Sequence, residues 1–351
     1  MTEISVDNHK LMYHPERVSE WKTEGDCYPI YMEVGPTNKC NHDCVYCALD
    51  WVKNGIENID KSILINSLEE MASVGVKSIM FAGEGEPLLH KNIGDFVQAS
   101  KSYGIDTSIT TNGIPLTQDK IERILPYLSW IRFSIDSGSP ENYALVHGTN
   151  INDFDKLMTN IQNAVDYKRA HSLSLTIGTQ FLMIPQNVEE AVKLASRLKQ
   201  IGVDNLQIKP YSHHPKSSIN LAVKYIGYKD LESQLSEFNS EDFNVFFRSA
   251  TAKRICEGAN YNQCYGISFI ALLDSKGNVL PCNIFYGNND MTYGNIYKES
   301  FKSIWNSEKR KQVLSKLHDE GITNCRNGCR LDVINHYLHR LKNPESHDNF
   351  I

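Results

Sequence analysis

An alternation of strand-like and helix-like segments runs through the first 210 residues of the chain. Six runs rich in β-branched and aromatic residues are separated by amphipathic helical patterns. The runs are YMEVGPT, SIMFAG, TSITTN, WIRFSID, LSLTIGTQFLMI and NLQIKPY. Repeated strand–helix units predict a parallel sheet that curls toward a barrel. We therefore predict an α/β fold, a partial (β/α)6 TIM-like barrel, with catalytic groups at the carboxyl ends of its strands.

Glycine follows the last predicted turn of three of the helices, at Gly75, Gly104 and Gly202. A glycine at this position is typical of a helix C-terminus because it adopts the left-handed conformation without a Cβ clash. These residues therefore end the helical patterns DKSILINSLEEMASVG, NIGDFVQASKSYG and NVEEAVKLASRLKQIG.

The alternation stops around Tyr211–Lys229, where the sequence is typical of a linker or of a loop across the barrel mouth. Short strands and a turn follow, in FNVFFRSA, YGISFIALLD and SKGNVLPC, and then one helical pattern, KESFKSIWNSEKRKQVLSKLHD. This pattern predicts a small C-terminal α+β domain. The predicted parts are an N-terminal extension (1–27), the barrel (28–225), the second domain (226–335) and a C-terminal tail (336–351).

The chain has nine cysteines, and their chemical state depends on the compartment. The N-terminus lacks a signal-peptide core and no stretch approaches eighteen apolar residues, so a cytosolic protein is the simplest interpretation. Because that compartment keeps thiols reduced, metal ligation or catalysis is favoured over disulfides. The net charge of −6 gives no basic field for nucleic acid.

Three cysteines, Cys40, Cys44 and Cys47, lie in a C-x3-C-x2-C loop directly after the first predicted strand. Three thiolates are one ligand fewer than a closed zinc site or a fully ligated iron–sulfur cluster requires. One alternative is a zinc loop completed by His42, Asp43 or a distant cysteine. The other is a cluster with one open iron.

The segment CNHDCVYC resembles the signature of the radical S-adenosylmethionine superfamily, including the aromatic residue Tyr46 before the third cysteine. The resemblance implies a four-iron four-sulfur cluster held by the three cysteines, with S-adenosylmethionine on the open iron. It also implies reduction by flavodoxin or ferredoxin, and a 5′-deoxyadenosyl radical that takes a hydrogen atom from a substrate.

Further motifs at the ends of the predicted strands fit this resemblance. FAGEGEP resembles the family's glycine–glutamate motif, which binds the amino group of S-adenosylmethionine. TTNG and FSIDS end the next two strands, and each of their polar residues could instead be an ordinary turn or helix cap. The candidate contacts to S-adenosylmethionine are Tyr46, Gly83, Glu84, Gly85, Glu86, Asn112, Ser134, Asp136 and, more weakly, Gln180.

A second cysteine set, Cys264, Cys282, Cys325 and Cys329, lies in the predicted second domain. The spacing around SKGNVLPC resembles the opening of a SPASM domain, but fewer cysteines follow than a full SPASM domain has. Four ligands suit one auxiliary four-iron four-sulfur cluster, the shorter twitch-type arrangement. A structural zinc site is the alternative.

These resemblances imply a radical enzyme but not its substrate. We expect net oxidation, that is dehydrogenation, of a carbohydrate-like or aminocyclitol-like small molecule, with the auxiliary cluster as electron acceptor. One alternative is a radical epimerase with Cys256 as hydrogen donor, although a small buried residue is the simpler interpretation of Cys256 and of Cys27. Others are a peptide-modifying enzyme and, from a different class, a non-catalytic iron–sulfur or zinc-binding protein. His213 and His214 could contact a substrate or lie in a solvated loop.

Overall fold

The computed structural model describes residues 9–223 and 228–350, and within them a single ten-stranded sheet. The strands are β1 Tyr31–Val34, β2 Ser78–Phe81, β3 Asp106–Thr111, β4 Trp130–Ser134, β5 Thr176–Met183, β6 Asn205–Pro210, β7 Asn244–Phe247, β8 Ile270–Leu273, β9 Asn278–Leu280 and β10 Gly294–Asn295. The helices are α1 Pro15–Glu24, α2 Lys61–Ser73, α3 Ile93–Ser102, α4 Gln118–Ile124, α5 Pro140–His147, α6 Asp153–Ala170, α7 Ala191–Ile201, α8 Tyr228–Ser236, α9 Ser249–Glu257, α10 Phe301–Trp305, α11 Glu308–Glu320 and α12 Asp332–Lys342.

The order of the strands in the sheet is β10-β9-β8-β1-β2-β3-β4-β5-β6-β7. Strands β1 to β7 pair in parallel in sequence order, and β8 pairs in parallel with β1. Strands β9 and β10 are antiparallel. The predicted six-unit parallel α/β fold is therefore confirmed. All three predicted helix-ending glycines have positive φ, for example 87° at Gly202.

The sheet is continuous across the domain boundary that the sequence predicts between residues 225 and 226. Strand β7 lies beyond that boundary, yet it pairs with β6, and β8 continues the sheet on the other side of β1. The boundary itself falls within 224–227, outside the described residues. The division into two domains stays a prediction.

One predicted helix is two helices in the structure. The pattern at 298–319 breaks between α10 and α11, so its interpretation as a single helix is wrong. The cause is Ser307, whose side chain accepts a hydrogen bond from the N–H of Arg310 at 3.1 Å and so caps a new helix. Arg310 then lies with its guanidinium carbon 3.8 Å from the ring centroid of Trp305, which fixes the bend.

Side chains alternate between the two faces of the strands. One face packs against the helices through fully buried residues such as Met32, Phe81 and Ile109. Burying each such side chain stabilises the fold by about 1.5–3 kcal/mol. The opposite face of β1 to β7 is called the inner face below. Its polar residues include Glu33, Arg132, Ser134, Gln180, Gln207 and Lys209.

Among the described residues, no helix combines the length and the apolar composition that crossing a membrane would require.

Candidate active site

The three-cysteine loop lies at the carboxyl end of β1, as predicted. Backbone hydrogen bonds tie it to α5, from Asp43 N to His147 O and from Val45 N to Val146 O, both at 3.0 Å. A further bond joins Glu86 N to Lys39 O at 2.8 Å, so the loop is also fixed to the end of β2. These bonds hold the loop between α5, which follows β4, and the segment that follows β2.

The thiols of this loop are free and half-buried. Burial raises the pKa of Cys40, Cys44 and Cys47, and in each case an acidic neighbour, often another thiol of the set, raises it further. Cys47 is among the groups that raise the pKa of Cys40, and both Cys40 and Cys47 raise the pKa of Cys44. Because cations stabilise thiolates, binding a metal centre here would release protons and remove the cost of these raised pKa values. The set fits a three-ligand iron–sulfur centre.

Two histidines lie beside this set. The ligand atoms of His42, Cys44 and His147 lie within 4.8 Å of one another. His147 Nδ1 lies 3.4 Å from Cys44 Sγ, and its Nε2 accepts a hydrogen bond from Asp136 N at 3.1 Å. Burial lowers the pKa of His147 well below its ordinary value, so it is neutral. The contact of His42 with Cys44 is the one that the zinc alternative requires, whereas the Asp43 carboxylate pairs with Lys53.

Tyr46 and Asp136 contact each other directly. The Tyr46 hydroxyl donates to the Asp136 carboxylate, which also accepts from the N–H of Leu182. Asp136 is fully buried, and burial raises its pKa to about 6. The carboxylate therefore joins the cysteine loop to the ends of β4 and β5.

The two glutamates of the FAGEGEP motif have different surroundings. Glu86 is buried, and its carboxylate accepts from Thr111 Oγ1 at 2.6 Å, Asn112 N at 2.7 Å and Leu88 N at 2.9 Å. These three donors make Glu86 a link between the ends of β2 and β3. Glu84 instead accepts from Ser275 N at 2.8 Å, and burial raises its pKa to about 7.

Both glycines of the motif lie where a side chain has no room. A Cβ at Gly85 would lie 2.5 Å from the carbonyl oxygens of Thr37 and Lys39. A Cβ at Gly83 would lie 2.9 Å from Tyr286 Oη, and φ there is +112°. Gly85 thus lets the motif pack on the backbone that leads into the cysteine loop, and Gly83 lets it approach the second domain.

The remaining predicted contacts lie at the ends of β3, β4 and β5. Asn112 Nδ2 donates to Asn41 Oδ1 at 2.8 Å, which ties the end of β3 to the cysteine loop. Gln180 lies 3.5 Å from Ser134 Oγ and accepts from Lys209 Nζ at 3.0 Å. The structure therefore brings the candidate contacts together at one edge of the sheet.

The second cysteine set also comes together. Burial raises the pKa of Cys282 well above its ordinary value, and Cys329, Cys264 and Cys325 raise it further. Asn335 Nδ2 donates to Cys264 Sγ at 3.3 Å, so an amide already orients one thiol. Four free thiols of which three raise the pKa of the fourth fit the ligands of one iron–sulfur cluster.

The other predicted residues have the following surroundings. Cys256 is exposed on α9, so its interpretation as a small buried residue is wrong. Cys27 is 5% exposed in an apolar cluster with Trp21, as expected of a small buried residue. His214 is buried against Trp51, with ring centroids 4.7 Å apart, and burial lowers its pKa to about 4. His213 Nδ1 lies 3.2 Å from Ile219 O.

Comparisons with known proteins agree with this architecture. The family model described as the radical SAM superfamily matches residues 34–198, and that of an iron–sulfur cluster-binding domain, SPASM, matches 264–330. The chain is 22% identical over 304 residues to the tungsten-containing aldehyde ferredoxin oxidoreductase cofactor-modifying protein of Pyrococcus furiosus, covering 80% of this chain and 81% of that one. It is 25% identical over 260 residues to a probable GTP 3′,8-cyclase of Methanocaldococcus jannaschii, covering 72% and 79%.

A solved structure shows the same fold. Streptococcus suis SuiB, in a crystal structure bound to the precursor peptide SuiA, superposes with a TM-score of 0.66 at 16% identity, covering 90% of this chain and 75% of SuiB. The family implies a four-iron four-sulfur cluster and S-adenosylmethionine, and the SPASM match implies auxiliary iron–sulfur binding. Two separate sets of clustered free thiols fit both groups. The chain therefore belongs to the radical S-adenosylmethionine superfamily of enzymes and carries a SPASM iron–sulfur domain.

Proposed function

We propose that this enzyme catalyses net two-electron oxidation of a carbohydrate-like or aminocyclitol-like small molecule. In this proposal Cys40, Cys44 and Cys47 hold the catalytic cluster, and the second cysteine set holds an auxiliary four-iron four-sulfur cluster. When bound, these groups supply a 5′-deoxyadenosyl radical that takes a substrate hydrogen atom and a cluster that takes the second electron, while a proton leaves to water.

The observation that carries the proposal is the contact between the second cysteine set and the inner face. Arg330 follows Cys329 directly, and its Nη1 lies 2.5 Å from Glu33 Oε2 and 3.2 Å from Tyr31 Oη, both on β1. Ser275, next to the β8–β9 turn, donates its N–H to Glu84 at the end of β2. These contacts link the residue after Cys329 to β1 and link the β8–β9 turn to the end of β2, which supports an electron acceptor close to this part of the sheet.

Residues of the inner face support a small polar substrate. Ser134, Gln180 and Lys209 form a chain of hydrogen-bonding groups on β4, β5 and β6. Hydroxyl, amide and ammonium groups in this arrangement can donate to and accept from the hydroxyls of a polyol. In doing so they orient one substrate carbon and exclude water from it.

Two alternatives lead to other products. SuiB is described as bound to a precursor peptide, which motivates a peptide-modifying role, although a likeness of 16% identity carries the fold alone. An epimerase needs a thiol that returns a hydrogen atom to the substrate, and Cys256 is the candidate.

The test of the oxidation is a product analysis in heavy water. Dithionite-reduced enzyme is incubated with S-adenosylmethionine and a panel of sugars and aminocyclitols. We expect one compound to stimulate 5′-deoxyadenosine formation and to yield a product two electrons more oxidised. If every active compound instead gave an isomer carrying solvent deuterium, net oxidation would be excluded.

We expect Cys256→Ala to leave the turnover rate within about twofold of the parent, because exposed surface positions rarely contribute. Cys256 is exposed on α9, where water reaches the thiol. The measurement is 5′-deoxyadenosine and product formation per enzyme. A variant that still forms 5′-deoxyadenosine but has lost its product would instead support Cys256 as the hydrogen donor.

We expect Asp136→Ala and Glu84→Ala each to weaken binding of S-adenosylmethionine by about 1–3 kcal/mol, the range for a lost charged hydrogen bond. Asp136 also holds Tyr46, so its loss frees the aromatic residue next to Cys47. Anaerobic calorimetry measures the affinity, with Asp155→Ala on exposed α6 as the matched control. Unchanged affinity in both variants would remove both carboxylates from the site.

A further inference from the structure

Positive side chains gather along one side of the inner face. Lys209 lies near the end of β6, in register with Leu182 of β5. Arg132 lies on β4, in register with Gly178 of β5. Arg248 directly follows β7, two residues after Phe246, which is in register with Gln207. Side chains two residues apart in a strand lie on the same face, so Lys209 shares the face of Gln207. Arg248 shares the face of Phe246 for the same reason, and Phe246 is the partner of Gln207.

Arg326, between the last two cysteines, completes the set. Its Nε donates to Ser212 Oγ and its Nη2 donates to Ser212 O, both at 3.0 Å, so the segment after β6 holds the guanidinium in place. We call Arg132, Lys209, Arg248 and Arg326 the cationic wall.

The four charges act on one another. The pKa of Lys209 is lowered well below its ordinary value by burial and then by the positive charges of Arg248, Arg132, Arg326 and Arg330. Burial and the charge of Arg248 likewise lower the pKa of Arg132 to about 10. Positive charges that act on one another in this way repel, so an anion bound among them would be stabilised.

The acidic groups of the site lie mainly on the other side of the inner face. Glu33 pairs with Arg330, and Glu84 accepts from the backbone of Ser275. Asp136 lies close enough for Lys209 to lower its pKa, although burial raises that pKa overall. The Asp136 carboxylate already accepts hydrogen bonds from Tyr46 and Leu182.

Arg132 has capacity for a ligand. Its Nε is buried and has no hydrogen-bond partner among the residues that the structure describes, and its guanidinium carbon lies 4.7 Å from the Trp130 ring centroid. The opposing residue Gly178 contributes no side chain beside it. A planar guanidinium fixed over a ring, with an unused N–H, suits the oxygen atoms of an anion.

We propose that the cationic wall binds a phosphoryl group of the substrate, so that the substrate is a phosphorylated small molecule such as a sugar phosphate or a nucleotide. This inference deepens the proposed function and rests on it for the reacting carbon. A single carboxylate carries one negative charge, whereas a phosphate monoester carries about 1.5–2 at neutral pH and so matches several cations better. Gln180 contacts both Lys209 and Ser134, so the anchored group lies next to the candidate contacts to S-adenosylmethionine.

The test is a binding measurement on the anaerobically reconstituted full-length enzyme, with inorganic pyrophosphate as the probe. Arg132→Met and Lys209→Met remove one charge each while keeping the length of the side chain. Lys156→Met, on the exposed side of α6, is the matched control. We expect the parent and the control to bind pyrophosphate with a Kd below about 1 mM. We expect each wall variant to bind it at least about tenfold more weakly, as for a lost charged hydrogen bond.

Two controls keep the result specific. The visible cluster spectrum and the far-ultraviolet circular dichroism should stay close to those of the parent, which shows that the variants are folded. Citrate, a multiply charged carboxylate, is the second probe. Citrate binding without pyrophosphate binding would overturn the phosphoryl assignment, and so would an equal loss in Lys156→Met or no binding to the parent.

The outcome is independent of turnover. Pyrophosphate binding that is lost in both wall variants supports the phosphoryl site even where no oxidised product forms. A missing oxidised product would count against the proposed oxidation instead.

Discussion

Replacing Cys40, Cys44 and Cys47 together by alanine is expected to reduce the formation of 5′-deoxyadenosine to background. We propose these three thiols, which follow the carboxyl end of β1, as the ligands of the catalytic cluster, and both Cys40 and Cys47 raise the pKa of Cys44. Without thiolates no cluster is held there, and S-adenosylmethionine loses its electron donor. The measurement is chromatography of anaerobic reactions reduced with dithionite.

The second domain provides an internal control for this variant. Its four thiols lie on other segments and do not depend on the loop. The triple variant should therefore keep about four iron atoms per chain, the number in one four-iron cluster held by four thiolates. Cys27→Ala is the matched single variant, since Cys27 is a buried cysteine that belongs to neither set. Formation of 5′-deoxyadenosine at the parental rate in the triple variant would show that the catalytic assignment is wrong.

The strand–helix alternation was enough to predict the parallel sheet because each unit carries its own local signal. Strand β7 was recognised from its residues, but its partner was not. Gln207 pairs with Phe246 because burial and register favour this contact between segments that are distant in the sequence. Such a long-range pairing has no periodic pattern in the sequence. Similarly, the helical pattern in the sequence runs through Ser307 without a break. The side chain of Ser307 caps the start of α11 and so separates it from α10.

The site residues also divide into those that a local sequence pattern indicates and those that only long-range contacts bring together. The cysteines were found because metal ligands need particular side chains at short spacings. His147 was not predicted, because its contacts with Cys44 and Asp136 join three segments that are distant in the sequence. No sequence motif indicates such contacts. Glu86 was expected near the amino group of S-adenosylmethionine, yet its carboxylate is engaged by three donors from the protein. Sequence motifs thus identify which residues gather, while the structure shows which of their atoms are already used.

These contacts also link the two metal sites. Glu33 on β1 contacts Arg330 beside Cys329, and Glu84 on the motif after β2 contacts Ser275 beside the β8–β9 turn. Both acids are buried, so displacing either partner would leave a charge without compensation. The residue after Cys329 and the β8–β9 turn are therefore fixed to β1 and to the motif that follows β2.

Replacing Cys264 and Cys282 by alanine is expected to lower the iron content from about eight to about four per chain, since each thiolate set holds one four-iron cluster. We also expect the oxidised product to be lost while 5′-deoxyadenosine continues to form, because the first cysteine set is intact. Iron analysis and product analysis of anaerobically purified protein measure the two effects. Cys256→Ala is the control, since it removes an exposed thiol of the same region.

Three outcomes of the Cys264/Cys282 experiment decide between the chemical alternatives. Loss of both iron and oxidised product establishes the second site as the electron acceptor. Zinc in the second site of the parent would exclude that role, because zinc has no redox chemistry. A parent product at unchanged oxidation level that carries one solvent deuterium, and that Cys256→Ala no longer forms, would establish an epimerase. The effect of Cys264, Cys325 and Cys329 on the pKa of Cys282, and the exposure of Cys256 on α9, both favour the first outcome.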